Sequence, residues 1–240
     1  MYFDRILGIF LNNWPFFLRG AINTIIISLI ATIIGFVIGL VVGVLRTIPE
    51  QKATGPRILQ KILGWLLSVY IEVFRGTPMM VQAMVIFYGV PLFTGVQLNR
   101  MLAAFFIVSI NTGAYMAEVV RGGILSVDRG QYEAAKAVGM NHVQTMVHVV
   151  LPVAIRNILP ATGNEFIINI KDTSVLNIIG VTELFFQSRT VAGVNFMFFE
   201  TYFITSLIYL FMTFTITRIL RIVERKMDGS KTYQLNQQQV

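Results

Sequence analysis

The sequence predicts an all-α membrane protein with five transmembrane helices, and three observations carry that prediction. Of its 240 residues, 55% are hydrophobic and only 13% are charged, a balance too apolar for an ordinary soluble domain. The run Ile22–Leu45 contains no charge; at about 1.5 Å per residue it extends roughly 36 Å, enough to cross about 30 Å of hydrocarbon with some tilt. Further long apolar runs follow, separated by short basic clusters.

The predicted spans are, in order, about 22–45, 60–90, 100–122, 156–180 and 198–220, each carrying the Gly and Pro interruptions that membrane helices tolerate. The second span exceeds what a bilayer needs and holds Arg75-Gly76-Thr77-Pro78 near its middle, a sequence that breaks or kinks a helix into two shorter pieces. With the N-terminus outside, the cytoplasmic stretches collect Arg46, Lys52, Arg57 and Lys61, then Arg121, Arg129, Lys136 and Arg156, then Arg218, Arg221, Arg225, Lys226 and Lys231. The outer segments keep only Arg5, Arg19, Arg100 and Arg189, and this excess of inner cations fixes the expected orientation. The N-terminus does not read as a cleaved signal peptide, because Asp4 stands where a basic region belongs and no small-residue cleavage site precedes Pro15. The Gln-rich stretch 226–240 reads as a polar cytoplasmic tail behind a single membrane domain, residues 1–225.

Several chemistries are argued against. There is no cysteine, hence neither disulfide nor thiolate metal site. His142 and His148 have no carboxylate or cysteine neighbours that suit a metal. The net charge of +7 is spread between apolar segments without interleaved exposed aromatics, which speaks for topology and against nucleic acid. No lysine follows a glycine, so the turn that a P-loop needs to hold phosphates is absent. The chain reads as no enzyme, and no cofactor is expected.

The strongest motif lies in the polar stretch between the third and fourth spans, about 123–152. Glu133-Ala134-Ala135 is followed after three residues by Gly139, then after nine by Val149, one residue and Leu151-Pro152. Its small side chains leave a helix surface that another protein can approach closely. This spacing resembles the "EAA" loop of bacterial ABC importer permeases, with Val149 where Ile is usual. Arg75-Gly76-Thr77-Pro78, Ala117-Glu118-Val119-Val120-Arg121-Gly122-Gly123-Ile124, Gly130-Gln131-Tyr132 and Lys171-Asp172-Thr173-Ser174 extend the resemblance to the polar amino acid branch of these permeases, from about Gly20 to Arg225. The resemblance implies a type I importer fold with cytoplasmic coupling helices, and places Glu133, Ala134, Ala135 and Gly139 at the contact with an ATPase. It also implies the partners: a cytoplasmic ATP-binding subunit dimer, a second permease subunit, identical or homologous, and an extracytoplasmic amino-acid-binding protein.

The fourth span carries charges that a bilayer resists at about 2.5–3.5 kcal/mol each. Glu165 and Asp172 are seven apart and share a helical face, with Lys171 about 120° round from Glu165; Gly163 and Thr173-Ser174 are expected to loosen the helix and bring all three toward one cavity. In one reading Lys171 meets the α-carboxylate of an amino acid and Glu165 its ammonium or a cationic side chain, with Asp172, Thr173 and Ser174 in the site that the resemblance implies there. In the other, Lys171 pairs with Asp172 or Glu165 to hold the span in place. Two further pairs at helical spacing, Glu72 with Arg75 and Glu118 with Arg121, read as structural. The rival classes are a self-contained channel or carrier, which needs no docking loop and often has an inverted repeat, and a structural anchor, which leaves the buried charges without a role.

Overall fold

Break points decide this architecture more than helix propensity does, because nearly every segment is apolar enough to be helical in a bilayer. The computed structural model describes residues 2–50 and 53–227; Lys52, Lys231 and the expected tail beyond Met227 lie outside the described residues. Helix α1 runs Tyr2–Leu45 (44 residues), about 66 Å. It begins twenty residues before the expected first span, because the stretch from Tyr2 is itself apolar and buries Ile9 and Phe17 against neighbouring helices.

The second expected span is broken, as Arg75-Gly76-Thr77-Pro78 foretold. Helix α2 covers Thr54–Gly76 and α3 covers Met79–Thr94, meeting at 112°. Thr77 is extended, φ −124° and ψ 148°, the conformation that a following proline enforces. Helix α4, Arg100–Leu125, starts at Asn99, whose side-chain oxygen accepts from the amides of Met101 (2.9 Å) and Leu102 (3.2 Å). Then come two short helices, α5 (Arg129–Ala137) and α6 (His142–Thr145), and a π-type turn, Met146–Val150. Helix α7 spans Leu151–Asp172 and tightens into a 3₁₀ segment, Thr173–Ile179. Helix α8, Leu184–Asn195, precedes the last span α9, Phe198–Met227. Four of these helices are long and apolar enough to cross a membrane, and the bent α2–α3 pair makes a fifth.

Helix α4 lies at the centre, with Ile107, Val108, Ala114, Met116, Ala117 and Val120 fully buried. Helix α1 reaches it through glycines one turn apart: a Cβ on Gly35 would stand 2.6 Å from Thr112 Cγ2, and Gly39 and Gly43 meet Met116 and Val120 in the same way. Small residues are how membrane helices approach closely where no hydrophobic drive separates them from lipid. Elsewhere Ala83, Ile107, Leu176 and Ile179 tie α3, α4 and the 3₁₀ segment together. Val120, Ile124, Met146 and Ala154 seat the α5–α6 loop beneath α4 and α7.

Candidate translocation site and coupling surface

The charged row of α7 is set in place by a polar residue that the sequence reading passed over. Asn169, 3% exposed, donates to Thr32 Oγ1 of α1 at 2.9 Å and accepts from Thr112 Oγ1 of α4 at 3.1 Å. One buried amide therefore fixes the rotation of α7 against two helices, in surroundings where an unmade hydrogen bond is costly. Asn among apolar residues at the centre of a span was the available signal.

Lys171, two residues on, opens into a cavity of about 330 Å³ between α7 and α9, lined by Ile167, Leu210, Thr213, Phe214, Thr217, Arg218 and Arg221. Neither Glu165 nor Asp172 lines it, so the three charges do not converge there. The reason is the backbone: α7 stays regular through Gly163 as far as Asp172, because Gly163 is used for packing, with Leu220 of α9 where a Cβ would be 3.1 Å away. Glu165 is half-buried and Asp172 exposed. Among the described residues no ion pair joins Lys171 to either carboxylate. Thr173 is buried and donates to the Ile170 carbonyl at 3.1 Å, while the Ser174 carbonyl accepts from Asn177 at 2.6 Å.

At the α5–α6 end of the bundle, Glu133, Ala134 and Gly139 are exposed and Ala135 is turned inward at 5% exposure. Gly139 adopts φ 82°, and the amides of Gly139 and Met140 reach back to the carbonyls of Lys136 and Ala135, each at 3.0 Å. This double closure with a left-handed residue is a Schellman ending, so the glycine of the motif also stops the helix. Asp128 starts α5 by accepting from the Gly130 amide at 2.7 Å. Burial pushes the Tyr132 hydroxyl above its ordinary value, and that hydroxyl donates to the Ile124 carbonyl at 3.4 Å. A cavity of about 320 Å³ opens beside the helix end, lined by Val138, Gly139, Met140, Gln144 and His148. Val138 on its wall is 75% exposed, and Val143 and Val147 on the following segment are 68% and 51% exposed.

The two structural pairs fare differently. Glu118 is held by Arg121 at 2.9 Å and also by Arg46, the first residue past α1, linking the end of α1 to α4. Arg75 instead lies over the Tyr115 ring of α4, 5.5 Å from its centroid, and among the described residues Glu72 forms no ion pair with it. A second residue that the sequence did not single out, Glu183, is fully buried. It accepts from the amides of Phe185 (2.8 Å) and Phe186 (2.7 Å) and from the Tyr209 hydroxyl (3.1 Å), so it starts α8 and ties it to α9. Helix α8 itself went unread, being about 18 Å long and too short to cross.

Residues 53–229 match the family described as binding-protein-dependent transport system inner membrane component. The glutamine transport system permease protein GlnP of Escherichia coli K12 is 41% identical over 169 residues, covering 68% of this chain and 77% of that protein. The arginine transport system permease protein ArtQ of Bacillus subtilis is 34% identical over 166 residues, covering 69% and 76%. Among solved structures, an amino acid ABC transporter superposes with a TM-score of 0.79 at 36% identity, covering 90% of this chain and 96% of that one. The chain belongs to the binding-protein-dependent transport family and is the membrane-spanning permease subunit of an ATP-binding-cassette importer. Membership of this family implies a separate ATPase subunit and a substrate-binding protein as partners.

Proposed function

We propose that this permease carries polar amino acids inward by alternating access, as one half of a dimer with an identical or homologous second subunit. The N-terminus faces outside and the α5–α6 end faces the cytoplasm, which agrees with the excess of basic residues on that side. The single observation that carries the reading is the exposed α5 surface beside a cavity lined by Val138, Gly139, Met140, Gln144 and His148. It offers Glu133, Ala134 and Gly139, backed by the inward-facing Ala135, to the paired ATPase subunits. ATP binding there moves α5 and α6, and the core shared by Val120, Ile124, Val150 and Ala154 passes the motion to α4 and α7.

The substrate site of this reading is the end of α7: Glu165, Lys171, Asp172, Thr173 and Ser174. Lys171 carries a cation into a cavity without a carboxylate on its wall, which suits the α-carboxylate of an amino acid. Glu165 and Asp172 lie off that wall, so in this reading they meet the ammonium, or a cationic side chain, in another conformation of the transport cycle. The names of the relatives, which transport glutamine and arginine, support an amino acid as cargo and leave its side chain open.

The test is substrate-stimulated ATP hydrolysis in proteoliposomes that contain the permease, its ATPase and its binding protein, with a panel of amino acids. A narrow set of polar amino acids should stimulate the native complex, and Glu165→Gln and Lys171→Gln should each lower the stimulation while the complex still assembles. Hydrolysis indifferent to every amino acid, or to both substitutions, would sink the site.

A further inference from the structure

Beside Lys171, the α7–α9 cavity holds two cations, Arg218 and Arg221, that the transport reading does not use. Three cations line it, Lys171, Arg218 and Arg221, and no acidic side chain does. Among the described residues none of the three is in an ion pair. The Arg218 guanidinium rests over the Phe214 ring, 4.8 Å from its centroid. The hydroxyls of Thr213 and Thr217 donate to the carbonyls of Tyr209 (2.9 Å) and Thr213 (2.7 Å), so they add polarity to the wall without adding charge. The nearest acidic residues in sequence are Asp172, beside Lys171, and Glu224, three residues past Arg221, and both lie off the wall. Three like charges on one cavity repel one another unless an anion sits among them.

We propose that this cavity is an anion-binding site, in which Arg218 and Arg221 grip an oxyanion from one side and Lys171 reaches it from the other. Arg218 lies 20 residues along α9 from Phe198, about 30 Å, which is the depth of the far headgroup layer for a helix starting at the opposite surface. One turn further from that layer the wall is apolar, Leu210 and Phe214 being 62% and 55% exposed and continuous with exposed Leu207 and Phe211. A phosphate on the cations with an acyl chain along this column matches an anionic phospholipid, because basic pockets between membrane helices recognise such headgroups. The carboxylate of the transported amino acid offers the same oxyanion chemistry, and that second source alone rests on the transport reading above.

The experiment uses the complete transporter in nanodiscs of phosphatidylcholine, with or without phosphatidylglycerol, and compares native permease with the double variant Arg218→Gln, Arg221→Gln. Arg225→Gln, a cation outside the cavity, serves as the control. In one arm, retained phosphatidylglycerol is counted by native mass spectrometry; in the other, stimulation of hydrolysis by an amino acid is compared with that by its α-carboxamide. A phosphate site predicts that the double variant loses about fivefold in phosphatidylglycerol retention for each guanidinium removed, with Arg225→Gln unchanged. A carboxylate site predicts unchanged lipid retention and a loss of discrimination between acid and amide. If the double variant assembles and keeps both the lipid preference and the discrimination, or if Arg225→Gln has the same effect, the cavity is no anion site.

Discussion

The side-chain amide of Gln82 on α3 donates to the Phe74 carbonyl of α2 at 2.9 Å, so the helix pair is stitched across its own break. The same nitrogen reaches the Thr77 carbonyl and hydroxyl, each at 2.9 Å, and the Gln82 oxygen accepts from Asn111 of α4 at 2.9 Å. A helix that stops in an apolar region leaves carbonyls without partners, and this clasp supplies them. Gln82→Ala should therefore destabilise the permease by about 1–3 kcal/mol, and Gln82→Leu, which keeps the volume, should do the same. Both are read as the urea or thermal midpoint of the purified protein; a midpoint that does not move would remove the clasp from the account.

Close approach of α1 and α4 at Gly39 leads to a steric prediction. A Cβ there would run into Met116, so Gly39→Val should cost about 1–3 kcal/mol of overpacking and lower the yield of folded protein. Gly8 has open space where a Cβ would go, and Gly8→Val should be tolerated. Equal stability of the two variants would mean that the glycine contact does not form.

Gly139 tests the proposed coupling role of α5 without touching its charge. Its φ of 82° costs a side-chain-bearing residue about 1–2 kcal/mol, which makes Gly139→Ala fray the end of α5, while Asn, which tolerates this conformation, should be milder. Stimulated ATP hydrolysis should fall in the order native, Gly139→Asn, Gly139→Ala, with amino-acid binding to the separate binding protein unaffected.

Glu50, in the loop before α2, accepts from Arg57 Nε at 2.7 Å and stands 3.6 Å from Lys61. The hydrogen bond from Arg57, together with the charges of Arg57 and Lys61, holds its carboxyl below the usual carboxylate value of 4.5. A lowered folded-state pKa means a contribution present above the unfolded value and lost as the pH falls through the folded one. Because the group is exposed, the effect is small and is screened by salt. The acid limb of the stability curve should be slightly shallower in Glu50→Gln than in native protein at low ionic strength, and indistinguishable from it in high salt.

Much of this was legible in the sequence, for reasons that differ from element to element. The spans were readable because apolar length is nearly sufficient in a bilayer, and the α2–α3 break because Gly76-Thr77-Pro78 is a local instruction. The resemblance to the importer loop was readable because Glu133, Ala134, Ala135 and Gly139 stand at its spacing. The start of α1 and the existence of α8 were not, since an apolar stretch before a span, or one too short to cross, carries no boundary of its own. Asn169, Gln82 and Glu183 escaped for another reason: besides any local bonds, each joins helices through at least one partner 26 or more residues away, Thr32 and Thr112, Asn111, and Tyr209 respectively, and no local pattern names such a partner. The expectation that Gly163 would loosen α7 failed because a glycine in a membrane helix can equally well serve packing, here against Leu220.

In the proposed function, this chain moves amino acids only when a separate ATPase engages α5. The most direct measurement is uptake of a labelled amino acid into proteoliposomes, with and without the ATPase subunit, for native permease and for Glu133→Arg, which reverses the charge on the exposed coupling surface. Uptake that needs ATP, the ATPase and the binding protein together, and that collapses in a folded Glu133→Arg variant, is the predicted result. Uptake that persists without the ATPase, or that Glu133→Arg leaves untouched, would contradict the account and point to a self-contained carrier.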